Sequence, residues 1–130
     1  MTEIPASHRA ILDHDNIGHL ATLRPDGHIQ LNDMWFLFDG EDIRFTHTTK
    51  RVKFRNLQLN PVMTLSVTDP RDRYRFVELR GRLSEVIDDP TGSFYQVLDR
   101  RYGASDTSPA PADAADRVIL VMAIEVVRVR

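Results

Sequence analysis

Six apolar, strand-like segments joined mainly by tight turns constrain the fold of this chain more than any other feature of its sequence. In the segment 63–68, apolar residues alternate with hydroxyl residues, so the apolar side chains share one face of a strand. The predicted strands are 17–23, 29–38, 43–47, 62–68, 74–86 and 117–129. Turns that contain Gly or Pro separate most of these segments, which favours antiparallel pairing of neighbouring strands.

Strands this long and apolar, in a chain of only 130 residues, favour closure of the sheet into a barrel. An open sheet would leave long unpaired edges that promote aggregation, whereas closure removes them. Gly81 lies within the fifth predicted strand, where it predicts a bend or a bulge. We therefore expect one domain, residues 1–130, that is mainly β (α+β) and consists of a six-stranded antiparallel barrel with a few short helices.

Residues that commonly begin or end helices mark three short helical segments. These segments lie after Ser7, over 51–59, and between Asp89 and Gly103. In the third, Asp89 is the expected N-cap and Pro90 the expected first helical residue. The segment 104–116 is rich in Ala, Pro, Ser and Asp, a composition that predicts a mobile loop.

The composition excludes several classes of function. A net charge of −2 at pH 7 argues against general binding to nucleic acid or to a membrane surface. The chain has no Cys, and its five His residues lack the spacing of metal ligands, so no metal site is predicted. No apolar run is long enough to span a membrane, and residues 1–5 lack the pattern of a signal peptide. These features predict a cytoplasmic protein.

The stretch 46–57 combines hydroxyl groups with an unusual concentration of cations at the start of a predicted helix. Four cations lie between residues 50 and 55, where like charges repel each other and the helix dipole favours anions instead. Backbone N–H groups, Thr hydroxyls and the head groups of Lys and Arg can together bind a phosphate. The stretch therefore predicts an anion-binding site, with a solvated basic helix face as the alternative.

A set of short motifs, in their order along the chain, resembles the pyridoxamine 5′-phosphate oxidase-like split-barrel superfamily. The motifs that carry the resemblance are Gly18-His19-Leu20-Ala21-Thr22-Leu23, Asp26-Gly27, Trp35-Phe36, Asp39-Gly40, Phe45-Thr46, Lys53, Arg55-Asn56-Leu57, Asn60-Pro61 and Gly81. They are most similar to the small actinobacterial branch that uses the deazaflavin coenzyme F420. The resemblance implies a six-stranded split β-barrel of the FMN-binding type, an obligate homodimer, and two equivalent cofactor sites at the dimer interface.

The resemblance also implies which residues bind the cofactor. In that family, the strand before the short helix and the start of the helix bind the cofactor phosphate. The corresponding residues here are Thr46, Thr48, Thr49, Lys50, Arg51 and Lys53, with Thr46 and Thr48 as alternatives for one role. The preceding strand lines the flavin-like ring in relatives. The matching residues of that strand are Gln30, Asn32, Met34 and Trp35.

Three features allow both a structural and a functional interpretation. Trp35, the only Trp of the chain, either packs in the core or dimer interface or faces the cofactor ring. The pair Asp88-Asp89 is more typical of a helix cap than of a catalytic dyad. The arginines of segment 71–75 alternate with other residues, which predicts a solvated hairpin or, alternatively, a surface that binds an anion.

Three hypotheses on function follow. The first is an F420-dependent oxidoreductase that transfers hydride from the reduced deazaflavin to a small conjugated organic acceptor. No catalytic acid or base is then required, because the cofactor carries the hydride. The second is an FMN-binding oxidase or flavin reductase of the same fold. The third is a non-catalytic protein that binds F420 or a flavin as a carrier.

Overall fold

Seven antiparallel strands form one sheet in the computed structural model of the protein, which describes residues 3–130. In chain order the strands are β1 (Gly18–Leu23), β2 (Ile29–Met34), β3 (Leu37–Phe38), β4 (Ile43–Thr48), β5 (Val62–Asp69), β6 (Asp72–Asp88) and β7 (Arg117–Val129). The helices are α1 (Arg9–Asp13), α2 (Val52–Leu59) and α3 (Ser93–Arg101), and 3-10 turns cover Ala6–His8 and Ala114–Asp116. Across the sheet, the strand order is β2-β1-β5-β6-β7-β4-β3.

The two edge strands of this sheet are consecutive in the chain. Strand β2 lies at one edge and β3 at the other, and only Trp35 and Phe36 separate them. Because one residue spans at most about 3.6 Å, the sheet must curl until its two edges lie next to each other. In the described part of the chain the two edges do not pair, so the barrel stays open along one line. This confirms the predicted mainly β, antiparallel split barrel.

The structure has seven strands rather than the predicted six, because the predicted strand 29–38 divides at Trp35-Phe36. The N–H of Phe36 donates to the Tyr102 hydroxyl (3.2 Å), and its carbonyl accepts from Arg101 Nε (3.1 Å). These side chains, at the end of helix α3, take the place of a neighbouring strand as hydrogen-bond partners. The backbone therefore leaves β2 and resumes as β3.

Two helix starts differ from the predicted ones. Helix α3 begins at Ser93 rather than Pro90, because Gly92 has a left-handed φ of 71° that a right-handed helix does not allow. Asp89 still stabilises the start of this helix, because its carboxylate accepts a hydrogen bond from a backbone N–H of the first turn (2.9 Å). Ser7 is not an N-cap; it lies within a 3-10 turn and its hydroxyl bonds the neighbouring imidazole. Within residues 3–130, none of the helices combines the length and apolar character that crossing a membrane requires.

The irregularity predicted at Gly81 is present in strand β6. The pairing register between β6 and β7 shifts between Arg80 and Gly81, and a Cβ atom at Gly81 would lie 1.8 Å from the carbonyl oxygen of Ala123. Any larger residue would therefore push the two longest strands apart. The curled sheet encloses a core whose fully buried side chains include Leu20, Phe36, Phe45, Leu65, Leu79 and Leu120.

Candidate cofactor-binding site

An open cleft of about 460 Å³ lies between strand β2 on one side and the end of β4 with the first turn of α2 on the other. Because only three residues separate β4 from α2, the chain brings these two segments to the same side of the cleft. The residues that line the cleft are Gln30, Asn32, Asp33, Met34, His47, Lys50, Arg51, Val52 and Lys53. Polar side chains of β2 thus face a group of cations.

The three cations of the cleft, Lys50, Arg51 and Lys53, have no carboxylate partner. Among residues 3–130, none of them forms an ion pair. The first turn of α2 holds no acidic residue, and no side chain caps it. Lys53 is only 5% exposed, and its Nζ donates to Met34 Sδ (3.2 Å), which is a weak acceptor. Positive charge and free backbone N–H groups therefore converge at one point, an arrangement that binds anions such as phosphate.

Burial and like charge lower the pKa of two cleft side chains. The pKa of Lys53 falls from 10.5 to about 8, mainly because burial disfavours the charged amine and secondly because Arg51 is close. The pKa of His47 falls from 6.5 to about 3, again mainly because of burial. Three cations, Lys53, Arg51 and Arg117, add repulsion. At pH 7, Lys53 is therefore charged and His47 is neutral.

Two buried polar atoms of cleft residues lack a hydrogen-bond partner within residues 3–130. They are Asn32 Oδ1 and His47 Nε2. The neighbouring Gln30 is paired, because its Oε1 accepts a hydrogen bond from Asn56 Nδ2 (2.9 Å). A buried polar atom without a partner destabilises a protein by about 1–3 kcal/mol, so native structures rarely leave one unless a ligand or water pairs with it. The cleft therefore suits a ligand with polar as well as anionic groups.

The structure brings six of the ten predicted cofactor residues together in the cleft. These six are Gln30, Asn32, Met34, Lys50, Arg51 and Lys53. The other four, Trp35, Thr46, Thr48 and Thr49, do not line it.

None of the three threonines lines the cleft, and for two of them the reason is that side chains alternate along strand β4. Thr46 and Thr48 lie on the face of the strand opposite to His47. The Thr46 hydroxyl accepts a hydrogen bond from Arg117 Nη1 (3.4 Å), and Arg117 belongs to β7, the strand that pairs with β4. Thr49 follows the strand and is exposed, next to Lys50. Only Thr48 and Thr49 therefore lie close along the chain to the cations of the cleft.

Trp35 packs against helix α3 and not against the cleft. Its indole stacks on the ring of Tyr102, with centroids 5.2 Å apart and an angle of 7° between the planes. The Tyr95 ring lies 6.0 Å away on the same helix. Aromatic pairs at these distances stabilise the contact between neighbouring elements, here between the β2–β3 connection and α3.

Sequence reasoning missed two buried residues near the cleft, His47 and Arg117. His47 follows Phe45 by two residues on β4, so strand alternation alone could have placed it on the inner face of the barrel. Arg117 had no comparable signal, because its position depends on the pairing of β4 with β7, where it lies opposite Thr48. There its guanidinium donates to the Asp113 carboxylate (2.9 Å).

The architecture of the chain is a split barrel with a cationic cleft beside its edge strand. The sequence model described as pyridoxamine 5′-phosphate oxidase matches residues 4–130. The chain therefore belongs to the pyridoxamine 5′-phosphate oxidase family.

Solved structures of similar proteins agree with this assignment. One named F420 reductase is 47% identical, with a TM-score of 0.92, and the match covers 96% of this chain and 98% of that chain. A conserved hypothetical protein from Mycobacterium tuberculosis is 22% identical, with a TM-score of 0.74 over 98% of this chain and 86% of that chain. General Stress Protein 26 from Bacillus anthracis is 15% identical, with a TM-score of 0.71 over 93% and 88%. The last two share the fold alone. No curated protein matches the chain.

Proposed function

We propose that this protein is an F420-dependent oxidoreductase, which transfers hydride from the reduced deazaflavin to a small conjugated organic acceptor. The observation that carries the proposal is the cleft beside β2, where Lys50, Arg51 and Lys53 converge without a carboxylate partner. A second support is the 47% identity, over nearly the full length of both chains, to a protein named F420 reductase. A cofactor with a phosphate and a polar ring system matches both the charge and the unpaired atoms of the cleft.

The cations and the start of α2 hold the cofactor phosphate in this proposal. Each charge-assisted hydrogen bond adds about 1.5–3 kcal/mol of affinity, so a few of them suffice for strong but reversible binding. Thr49 is exposed and directly precedes Lys50, and we include its hydroxyl among the phosphate contacts. Thr48 points to the other face of β4, and we assign it a structural role. Reversible binding suits a coenzyme that is used as a co-substrate.

The polar side of β2 is the surface along which the ring of the cofactor lies in this proposal. Gln30, Asn32 and Met34 alternate along the strand and so present their side chains to the cleft together. Trp35 and Thr46 lie away from the cleft, and we assign them supporting roles through α3 and Arg117.

Binding and orientation are the main contributions of the chain itself. The bound reduced deazaflavin supplies the hydride, so the protein needs to hold it against the acceptor. His47 is neutral at pH 7, because its pKa is about 3, and therefore has no imidazolium proton to give to the acceptor. The open side of the cleft allows water to supply that proton.

We also propose that two copies of the chain form the functional unit, with the cofactor sites at their interface. On the outer side of edge strand β2, Ile29 and Leu31 are 70% and 63% exposed, and Val62 of β5 lies beside Ile29. Soluble monomers rarely expose a contiguous apolar patch of this kind. Sedimentation at micromolar concentration should show a dimer for the wild type and a monomer for Leu31→Arg. A monomeric wild-type protein would contradict the proposal.

Parallel fluorescence titrations with F420 and FMN test the proposed cofactor. We expect F420 to bind at least about ten times more tightly than FMN, and reduced F420 to be oxidised when a nitro or enone acceptor is added. A purified yellow protein that retains FMN would favour the flavin oxidase instead. Tight F420 binding with no turnover of any acceptor would favour a carrier protein.

A further inference from the structure

The buried polar atoms without partners are not spread evenly over the molecule. Within residues 3–130 there are three such side-chain atoms, Thr22 Oγ1, Asn32 Oδ1 and His47 Nε2. Two of the three belong to residues of the cleft, and Thr22 lies directly opposite the cleft residue Gln30 in the β1–β2 register. Since an unpaired atom costs stability unless a ligand or water pairs with it, their concentration in one place is the arrangement expected of a site for a polar ligand.

The surroundings of His47 keep its ring uncharged. The side chain is 4% exposed and lies on the inner face of β4 together with Phe45. The charged groups that act on it are Lys53, Arg51 and Arg117, and all three are cations. A proton on His47 would add a further positive charge to this group, so the folded protein presents a neutral imidazole. A neutral imidazole offers one donor and one acceptor.

Asn32 sets a complementary requirement on the other side of the cleft. The carboxamide oxygen Oδ1 can only accept hydrogen bonds, so the ligand atom next to it must carry a hydrogen. A phosphate or carboxylate oxygen would be repelled at this point, whereas it would be attracted by Lys53. Asn32 and Lys53 therefore bind different chemical groups.

We propose that Asn32 and His47, both uncharged, form hydrogen bonds to neutral polar groups of the cofactor and so determine its orientation. The cleft then selects molecules that carry an anionic group for Lys53 and, at a short distance, an uncharged group that donates a hydrogen bond. This inference rests on the proposed function in taking F420 as the molecule that provides both groups. An anion alone, such as inorganic phosphate, occupies only the cationic half.

Apolar variants of similar shape test this inference. Asn32→Leu and His47→Phe should each weaken F420 binding about 5- to 15-fold, because one neutral hydrogen bond is lost. Protection of each protein by inorganic phosphate, measured as the shift in Tm, should stay as in the wild type. Without ligand, both variants should have a Tm equal to that of the wild type or about 2–5 °C higher, because an unpaired buried atom has been removed.

Asn56→Leu is the matched control. Asn56 is also a buried asparagine, 2% exposed, but its Nδ2 already donates to Gln30, so its removal leaves Gln30 unpaired and should lower the Tm of the free protein. If Asn32→Leu and His47→Phe lower the Tm in the same way and leave F420 affinity unchanged, the two residues are structural and the inference is overturned.

The same measurements separate this inference from the proposed function. If the wild-type protein binds neither F420 nor FMN, the proposed function is wrong. The Tm comparison without ligand then decides the inference alone: a Tm equal to or above that of the wild type in both apolar variants supports a site kept for a polar ligand, and a lower Tm in either variant overturns it.

Discussion

Two basic clusters that look alike in the sequence differ in the structure. The cleft cluster consists of Lys50, Arg51 and Lys53 at the start of α2, and the hairpin cluster consists of Arg71, Arg73 and Arg75 at the β5–β6 turn. In the hairpin cluster, Arg71 and Arg75 lie 3.7 and 3.8 Å from the carboxylate of Asp69. Arg75 also donates to the carbonyl of Ser7 (2.7 Å). The cleft cluster has no such partners within residues 3–130.

The two clusters differ in whether their cations have carboxylate partners, and not in how many cations lie close together. Arg71 and Arg75 of the hairpin pair with a carboxylate of their own chain, and their side chains are 82% and 38% exposed. Arg51 and Lys53 of the cleft repel each other, Lys53 is buried, and none of the three cations forms an ion pair within residues 3–130. The cleft, and not the hairpin, therefore has the arrangement that we propose for cofactor binding.

Lys53→Ala should show the largest difference between the two clusters. Loss of one charge-assisted phosphate contact should weaken F420 binding by about 1.5–3 kcal/mol, which is about 10- to 100-fold. Arg71→Ala, the matched change in the hairpin cluster, should change the Kd less than twofold. An unchanged Kd for Lys53→Ala, or an equal loss of F420 affinity in both variants, would show that the two clusters do not differ in cofactor binding.

Raising the pH should weaken binding through the cleft cluster alone. The pKa of Lys53 is about 8 in the free protein, so above pH 8 a growing fraction must take up a proton before it can bind an anion. F420 affinity should therefore fall about fivefold between pH 8 and pH 9. Lys53→Arg, which stays charged, should abolish this decline. A decline that persists in Lys53→Arg would show that another group is responsible.

Lowering the pH should reveal the effect of burial, and secondly of the nearby cations, on the pKa of His47. The unfolded chain takes up a proton at His47 near pH 6.5, whereas the folded protein does so only near pH 3. The wild type therefore loses stability as the pH falls from about 6.5 to about 3, and His47→Phe lacks this loss. The Tm of the variant relative to the wild type should rise on the order of 5 °C between pH 7 and pH 4. The exposed His28→Phe serves as control, and a constant Tm difference for His47→Phe would show that the pKa of His47 is the same in the folded and the unfolded protein.

Asp69→Asn should make the hairpin cluster resemble the cleft cluster. The Asp69 carboxylate is largely buried, accepts from the Arg71 N–H (3.0 Å) and faces two guanidinium groups. Removing its charge should lower the free energy of unfolding by about 0.5–1.5 kcal/mol, because the backbone hydrogen bond weakens and the ion pairs are lost. Urea unfolding measures this change, while F420 affinity should stay within twofold. A clear loss of affinity would mean that the hairpin cluster belongs to the cofactor site.

The smallest effects are expected from candidate proton donors in both regions. His28→Ala, His47→Ala and Tyr74→Phe should each slow single-turnover oxidation of reduced F420 less than about tenfold at saturating cofactor. His47 is neutral, and Tyr74 is 71% exposed on the hairpin, so neither has the setting of a general acid. A loss above about a thousandfold in one variant, with binding intact, would identify a catalytic acid.

Local patterns in the sequence determined most of the fold and half of the site. The family resemblance named Gln30, Asn32 and Met34, and the structure has them on one face of β2, because successive side chains of a strand point to opposite sides. The same rule applies to His47 on β4. Gly81 marked the irregular pairing of β6 with β7, since no side chain fits against the opposite carbonyl.

The tertiary structure alone determines which of these residues are buried and which distant segments come into contact. Lys53 and Arg55 are both basic and two residues apart on α2, yet Lys53 is buried and Arg55 is exposed, because only one side of the helix packs against the barrel. The division of the predicted strand 29–38 depends on hydrogen bonds from α3, more than 60 residues further along the chain. Whether a charged residue has a partner depends likewise on contacts between distant segments. Composition and periodicity therefore predicted the barrel and its cations, whereas the folded chain determined which cations lack a partner.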